Sequence, residues 1–196
     1  MDVMLDLETL GAVPRCAILS IGALAFDGDQ PVPLNQEPIF HAHIDVRSSQ
    51  RAGLMIDGQT FMWWLKQSDA ARNALLQAET QDLHTVLARF SDWVRWSQVA
   101  RIWAKGPSFD CAILAAAYRA AGMEVPWDYR RERCVRTVLE LGGVDGRDAV
   151  WGVENRISHD ALSDAMAQAA AVQEALRRIR GERTALPESS SPPFPP

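Results

Sequence analysis

The sequence predicts an α/β fold, a mixed sheet with helices on its faces. Three observations point there. The first 44 residues hold three strand-like runs separated by turn signals. From residue 60 the apolar period changes from 2 to 3.6. A short apolar run at 99–103 then lies between two helical segments. Strands first, then helices alternating with strands, read as a layered sheet protein.

Residues 2–7 alternate, with Val3, Leu5 and Leu7 on one side. Residues 16–26 (CAILSIGALAF) are almost wholly apolar, as expected of a central strand. The GAVP stretch between them signals a turn, and Asp27-Gly28-Asp29 ends the second strand. Residues 39–44 give a third strand, so the three form an antiparallel meander. Helices follow at 60–65, 70–76 and 83–96. In the last, Leu83, Val86, Leu87, Phe90, Trp93 and Val94 fall on one face. After the strand at 99–103, residues 109–121 form an Ala-rich helix closed by Gly122. Residues 126–133 read as loop or edge strand, and 135–141 as a short helix stopped by Gly142-Gly143. The longest helix covers 161–180. Leu162, Ala165, Met166, Ala169, Val172, Leu176 and Ile179 form its apolar stripe, and Gly181 caps it. One domain is expected over 1–182. The Pro/Ser-rich stretch at 183–196 reads as a disordered tail.

Composition narrows the function. At 196 residues the chain can bury a core, and its 47% apolar and 23% charged residues are globular values. No run of 18 apolar residues exists, so no membrane span is expected. The N-terminal MDVMLDLE lacks a basic n-region, so no secretory signal is expected. Three cysteines (Cys16, Cys111, Cys134) without a C-x-x-C pair argue against a disulfide scaffold or structural zinc, and suit a reducing cytoplasm. A net charge of −5 opposes broad coating of nucleic acid. Neutralising four acids at a metal site would take it from −5 to −1, leaving room for a local basic patch.

Asp6 and Glu8 project from the same strand face. Two buried carboxylates side by side repel each other and lose hydration, a conflict that a divalent cation removes. Oxygen-only ligands suit magnesium or manganese. Solvation at a sheet edge is the plain alternative. Asp110 follows a strand, a turn and Ser108 as a helix N-cap. It either serves a site at the strand end or complements the helix dipole. His159 lies at the mouth of the long helix, with Asp164 one turn inside on the flank of its stripe. A histidine there is commonly a cap or surface residue. His41 and His43 alternate on the third strand without acidic company in sequence.

Together the order and spacing are informative. Asp6-x-Glu8-Thr9-x-Gly11, Phe109-Asp110 and His159-x(4)-Asp164 resemble the DEDDh (DnaQ-like) exonucleases, the group that includes polymerase proofreading subunits. The resemblance spans roughly 1–180. Thr60-Phe-Met-Trp63-Trp64-Leu65, Trp103-x-x-Gly106-x-x-Phe109-Asp110 and Arg133-x-x-Arg136-Thr137 look like the mycobacterial-type 3′–5′ exoribonuclease family, whose domain is shared by exodeoxyribonuclease VIII-like proteins. Lys105 departs from that pattern, where a polar amide or histidine is frequent, and should affect substrate contact rather than metal binding.

The resemblance implies an RNase H-like fold, a mixed five-stranded sheet flanked by helices on both faces. It implies hydrolysis with two Mg2+ or Mn2+ ions, releasing nucleoside monophosphates from 3′ ends of RNA or single-stranded DNA. Asp6 would bridge the ions, Glu8 and Asp164 complete the first site, and Asp110 serve the second directly or through water. His159 would be the general base. Glu8 and Thr9 would meet the terminal sugar and Leu10 wedge against its base, in a pocket with Phe109. Trp63 is the stacking candidate; adjacent helical residues cannot share a face, so at most one of Trp63 and Trp64 stacks, and core packing is the alternative for both. Trp93, Trp96 and Trp103 are expected in the core, with Trp127 and Trp151 open. Arg130, Arg131, Arg133 and Arg136 form the dense basic cluster, with Arg133 the phosphate-binding candidate, unless the cluster is an interface or a solvated loop. A homodimer through an apolar face of the middle helices would also suit the family. Rival readings are a repair or recombination deoxyribonuclease, a non-catalytic module of the same fold, and a metal-dependent phosphatase. The module would be expected to lack an acid or the base, and all five positions are filled. The phosphatase would need no strand-binding aromatics.

Overall fold

A computed structural model describes residues 1–28, 38–145 and 159–181. The expected tail and Trp151 lie outside these residues. Among them the sheet has six strands rather than five, in the order β4-β3-β2-β1-β5-β6. The strands are β1 (Asp2–Thr9), β2 (Ile18–Phe26), β3 (Ile39–Ile44), β4 (Thr80–Gln81), β5 (Arg101–Ala104) and β6 (Glu132–Cys134). β1, β2 and β3 pair antiparallel, whereas β1–β5, β5–β6 and β3–β4 are parallel, so the sheet is mixed. The extra strand is β4, two residues long and too short to show a period. The stretch read as loop or edge strand is both: a turn of 3-10 helix at Tyr129–Arg131 leads into β6.

Seven helices are described: α1 (Val46–Arg51), α2 (Gly58–Trp64), α3 (Asp69–Leu76), α4 (Leu83–Trp96), α5 (Asp110–Ala120), α6 (Val135–Leu141) and α7 (Ala161–Ile179). Sequence reading missed α1, whose six residues VRSSQR carry no apolar stripe. Asp45 caps it by accepting the Arg47 N–H at 3.1 Å. Most of the other helices start on an acidic or serine cap as well (Asp57, Ser68, Asp82 and Asp160). Such caps satisfy N–H groups that no helical carbonyl reaches. β2 starts at Ile18, two residues later than expected. Before it, Arg15 takes a φ of 75° and Cys16 bridges to Met55 instead.

The alternation of β1 divides the protein into two cores. Val3, Leu5 and Leu7 face α4 and α5, with Ile21, Phe90, Leu114 and Tyr118. Met4 faces α6 and α7, with Leu24, Phe26, Trp103 and Val172. Helices therefore cover both faces. Trp96 is 67% exposed rather than in the core, because the buried positions of α4 (Leu83, Val86, Leu87, Phe90, Val94) leave it on the outer side. Trp93 packs partly buried on Phe90 and Phe40. Trp127 is buried against Tyr118. The Trp103 indole donates to buried Asp2 at 3.1 Å, and Arg101 pairs with the same carboxylate at 2.7 Å.

The contact that positions the functional end of the sheet is between β2 and α7. The buried face of α7 is mostly alanine, centred on Ala161, Ala165, Gln168, Val172 and Ala175. Ile179, expected in the stripe, is 48% exposed at the helix end. Small side chains let the helix axis come close to the sheet. At Gly22 the approach is closest: a Cβ there would lie 2.2 Å from the backbone of Ala161 and Leu162. Backbone cannot move aside as a flexible side chain would. Gly22→Ala should therefore push the first turn of α7 off the sheet and cost about 1–3 kcal/mol, the usual range for overpacking. Thermal melts should show Tm falling by several degrees, with near-equal Tm contradicting this packing.

Candidate active site

Four acids converge beside that contact. Asp6 and Glu8 leave β1 on the α7 face, opposite Gly22 and Ser20. The register slips between Glu8 and Thr9, leaving Leu19 unpaired in β2. Bulges of this kind re-aim strand ends and occur often beside active sites. α7 starts over Gly22, so its first turn brings Asp164 to the same place. Asp160 holds that turn by accepting the Ser163 N–H at 2.9 Å.

Asp110 arrives from β5. That strand runs parallel to β1 but stops at Ala104, beyond which the Leu7 N–H lacks a strand partner on that side. The Asp110 carboxylate takes its place, accepting the bond at 3.2 Å. Ser108 is not the N-cap. The turn after β5 runs on to Phe109, whose N–H bonds the Gly106 carbonyl, and α5 starts at Asp110 with no side-chain cap.

The electrostatics are those of anions brought together under cover. Glu8 is only 7% exposed and Asp110 4%. Burial, followed by the charges of Asp164, Asp160 and Asp110, pushes the Glu8 carboxyl up to about 8. Burial pushes Asp110 up to about 7, against the opposing Leu7 hydrogen bond and the Arg136 charge. Asp6 is raised well above the carboxylate range by burial and by Asp110, Glu8 and Asp164. Gln168 donates to Asp6 Oδ1 at 2.7 Å and opposes that shift. Sequence reading passed over Gln168. Its signal was the spacing Asp160, Asp164, Gln168, one residue per helical turn on one face.

These residues fit a hard divalent cation. Oxygen donors dominate, their mutual repulsion needs positive charge, and ligand atoms of Glu8, His159 and Asp164 lie within 4.8 Å of one another. His159 has a φ of 64°, unusual for a residue with a side chain. Its ring stands edge-on to Trp63 at 4.9 Å and Trp64 at 6.0 Å between centroids. His41 comes to 3.6 Å from Asp160, and its ring lies 4.8 Å from that of His43, so the pair backs the start of α7.

A cavity of about 280 Å³ opens over Asp6, Glu8 and Asp164. Asp6, Glu8, Thr9, Trp63, Phe109, His159 and Asp164 all reach it, and so does Thr60, which sequence reading did not single out. α2 is tied to the end of β1: the Asp57 N–H donates to Leu10 O at 2.7 Å, and the Asp57 side chain caps the helix at Thr60 N. The two adjacent tryptophans then part. Trp64 is buried and donates its indole N–H to Thr9 O at 2.9 Å, whereas Trp63 is 43% exposed above the cavity. Leu10 lies to the side, lining a neighbouring apolar groove with Trp64 and Phe61. Arg133 is on β6, outside the cavity, donating to the carbonyls of Arg130 and Glu132.

The 3′-5′ exoribonuclease Rv2179c-like domain matches residues 1–176. The chain belongs to that family. It is also 26% identical over 127 residues to an exodeoxyribonuclease of Enterobacteria phage T4, covering 60% of this chain and 56% of the phage protein. The chain thus spans little more than half the length of that relative.

The cluster sets the sign of a pH effect. An acid whose folded pKa is raised binds more protons folded than unfolded between about 4.5 and 8, so stability falls as pH rises through that window. Chelator-treated protein should melt several degrees lower at pH 8.5 than at pH 5.5. Added Mg2+ or Mn2+ should restore more at the higher pH. A Tm independent of pH and metal would contradict the electrostatics described.

Proposed function

We propose that this protein is a metal-dependent 3′–5′ exonuclease of the DEDDh type on an RNase H-like fold. Asp6, Glu8, Asp110 and Asp164 would hold two Mg2+ or Mn2+ ions. The observation that supports the reading is the meeting of Asp6, Glu8, Asp164 and His159 in one cavity walled by Trp63, with buried Asp110 held on the Leu7 N–H behind them and its charge acting on Asp6. The family match supports it.

Bound there, divalent cations supply charge neutralisation at the phosphate and ease ionisation of the attacking water. The chain's own residues do the rest. The cavity accepts a strand end beside the Thr9 backbone and Phe109, and Trp63 offers an exposed face to a base. Stacking of this sort is worth about 1–3 kcal/mol per base and tolerates any base. Water attacks the terminal phosphodiester, and the bond to the 3′ oxygen of the preceding nucleotide breaks. His159 takes the proton from the water, and the leaving oxygen ends protonated as a new 3′ hydroxyl. The product is a nucleoside 5′-monophosphate. The rings of Trp63 and Trp64 hold the imidazole for that transfer, and the capped start of α7 fixes its backbone. Gln168 keeps the Asp6 carboxylate oriented.

RNA 3′ ends are the proposed substrate, in line with the family's description. Single-stranded DNA is the second reading, favoured by the likeness to the phage exodeoxyribonuclease. The choice turns on whether a side chain reads the 2′ hydroxyl. Phe61 and Met62 on α2, Leu65 at its C-cap and Leu76 on α3 are exposed and would suit a homodimer contact.

With 5′-labelled RNA and DNA oligonucleotides and Mg2+ or Mn2+, the account expects a ladder shortening from the 3′ end. Release of phosphate alone, or no product from any oligonucleotide, would overturn it. His159→Ala should cut turnover by about 10²–10⁴ and leave Mn2+ binding intact. Asp6→Asn should remove both. Trp63→Ala should raise KM by about tenfold or more through lost stacking and also lower kcat, since it removes a ring that stands against His159, and Trp63→Phe should recover most of both. Equal KM in all three proteins would exclude stacking.

A further inference from the structure

Strands β1, β5 and β6 run parallel, and their C-terminal ends meet at one edge of the sheet. Sites gather at such ends because the connections leave polar groups there. β1 delivers Asp6 and Glu8. β5 leads through the turn at 105–108 to Asp110. β6 leads into α6, whose second residue is Arg136.

Arg136 folds over that turn. A Cβ on Gly106 would lie 2.4 Å from Arg136 Nη1, and Gly106 holds a φ of 115°, which side-chain-bearing residues rarely adopt. The backbone thus makes room for a guanidinium immediately before the helix that carries Asp110. Arg136 is exposed, yet its charge is felt at buried Asp110. The other arginines of the cluster are turned elsewhere. Arg130 pairs with Asp128 at 3.4 Å and lies over the Tyr129 ring. Arg131 donates to Val99 O at the opposite end of β5, and Arg133 donates to carbonyls of its own segment.

We propose that Arg136 is a substrate-binding residue that takes a backbone phosphate of the bound strand on the 5′ side of the scissile linkage. This rests on the exonuclease reading above. The terminal nucleotide occupies the cavity beside Trp63 and Phe109, so the strand leaves the acids by way of Asp110 and the 105–108 turn. Arg136 stands on that path. A guanidinium fork meets a phosphate through two parallel hydrogen bonds, which a lysine cannot reproduce. It also places positive charge where the acids would otherwise repel an incoming polyanion.

The test compares His159→Ala protein, slowed in cleavage, with the same protein also carrying Arg136→Ala. Binding of fluorescent RNA and DNA oligonucleotides is followed by anisotropy over a range of salt. Arg136→Ala should weaken binding about tenfold for every sequence and lower the salt slope by about one. Arg136→Lys should keep part of the slope but not the full affinity. A neutral methylphosphonate walked along the last few linkages should weaken binding at one of them in the parent and have no effect there in Arg136→Ala. Unchanged affinity and slope, or equal methylphosphonate penalties in both proteins, would overturn the assignment of Arg136 alone. A parent that binds no oligonucleotide with divalent ions present would overturn the exonuclease reading, and this assignment with it.

Discussion

The structure depends on like charges held together against their repulsion. Asp6, Glu8, Asp110 and Asp164 come from three separate parts of the chain and share one end of the sheet. Burial and mutual proximity raise the carboxyls of Asp6, Glu8 and Asp110. Packing elsewhere has to offset this. Two apolar cores, one on each face of the sheet, supply the cohesion. The arrangement is unfavourable for the empty protein and favourable for one that binds cations. Such tension is typical of sites shaped by chemistry rather than by stability.

How the fold delivers the acids follows from a few local choices. A central β1 with period-2 alternation gives one face to the α4–α5 core and the other to the acids. The early end of β5 leaves the Leu7 N–H for Asp110 to satisfy. Gly22 lets α7 approach until its first turn carries Asp164 to β1. The Asp57 cap ties α2 to the end of the same strand, so that Trp64 anchors and Trp63 remains available. Each is a contact between elements distant in sequence. The site is therefore sensitive to residues that touch no substrate.

Much of this was legible in the sequence, and the misses have physical reasons. Asp-x-Glu on a strand announces two acids on one face by geometry alone. The stripe of the last helix and the apolar run at 16–26 announce their elements equally well. α1 and β4 escaped because six polar residues and two strand residues show no period. Ser108 looked like a cap because serine after a turn and before a helix is a favoured N-cap; the turn from Gly106 to Phe109 includes it instead. Trp96 looked like core because indole is apolar, yet the helical phase puts it outside. Gly22 matters through its contact with the start of α7, which no local pattern records, whereas Gln168 was legible only as a third polar residue in helical register with Asp160 and Asp164. The basic cluster read as a single patch, whereas the structure splits it among different partners and leaves Arg136 beside Asp110.

The most direct test of the central claim is anomalous diffraction from crystals of this protein equilibrated with Mn2+. The account predicts manganese peaks within coordination distance of Asp6, Glu8 and Asp164, with a second peak toward Asp110. Well-ordered acids with no manganese between them, or manganese bound only elsewhere on the surface, would contradict it.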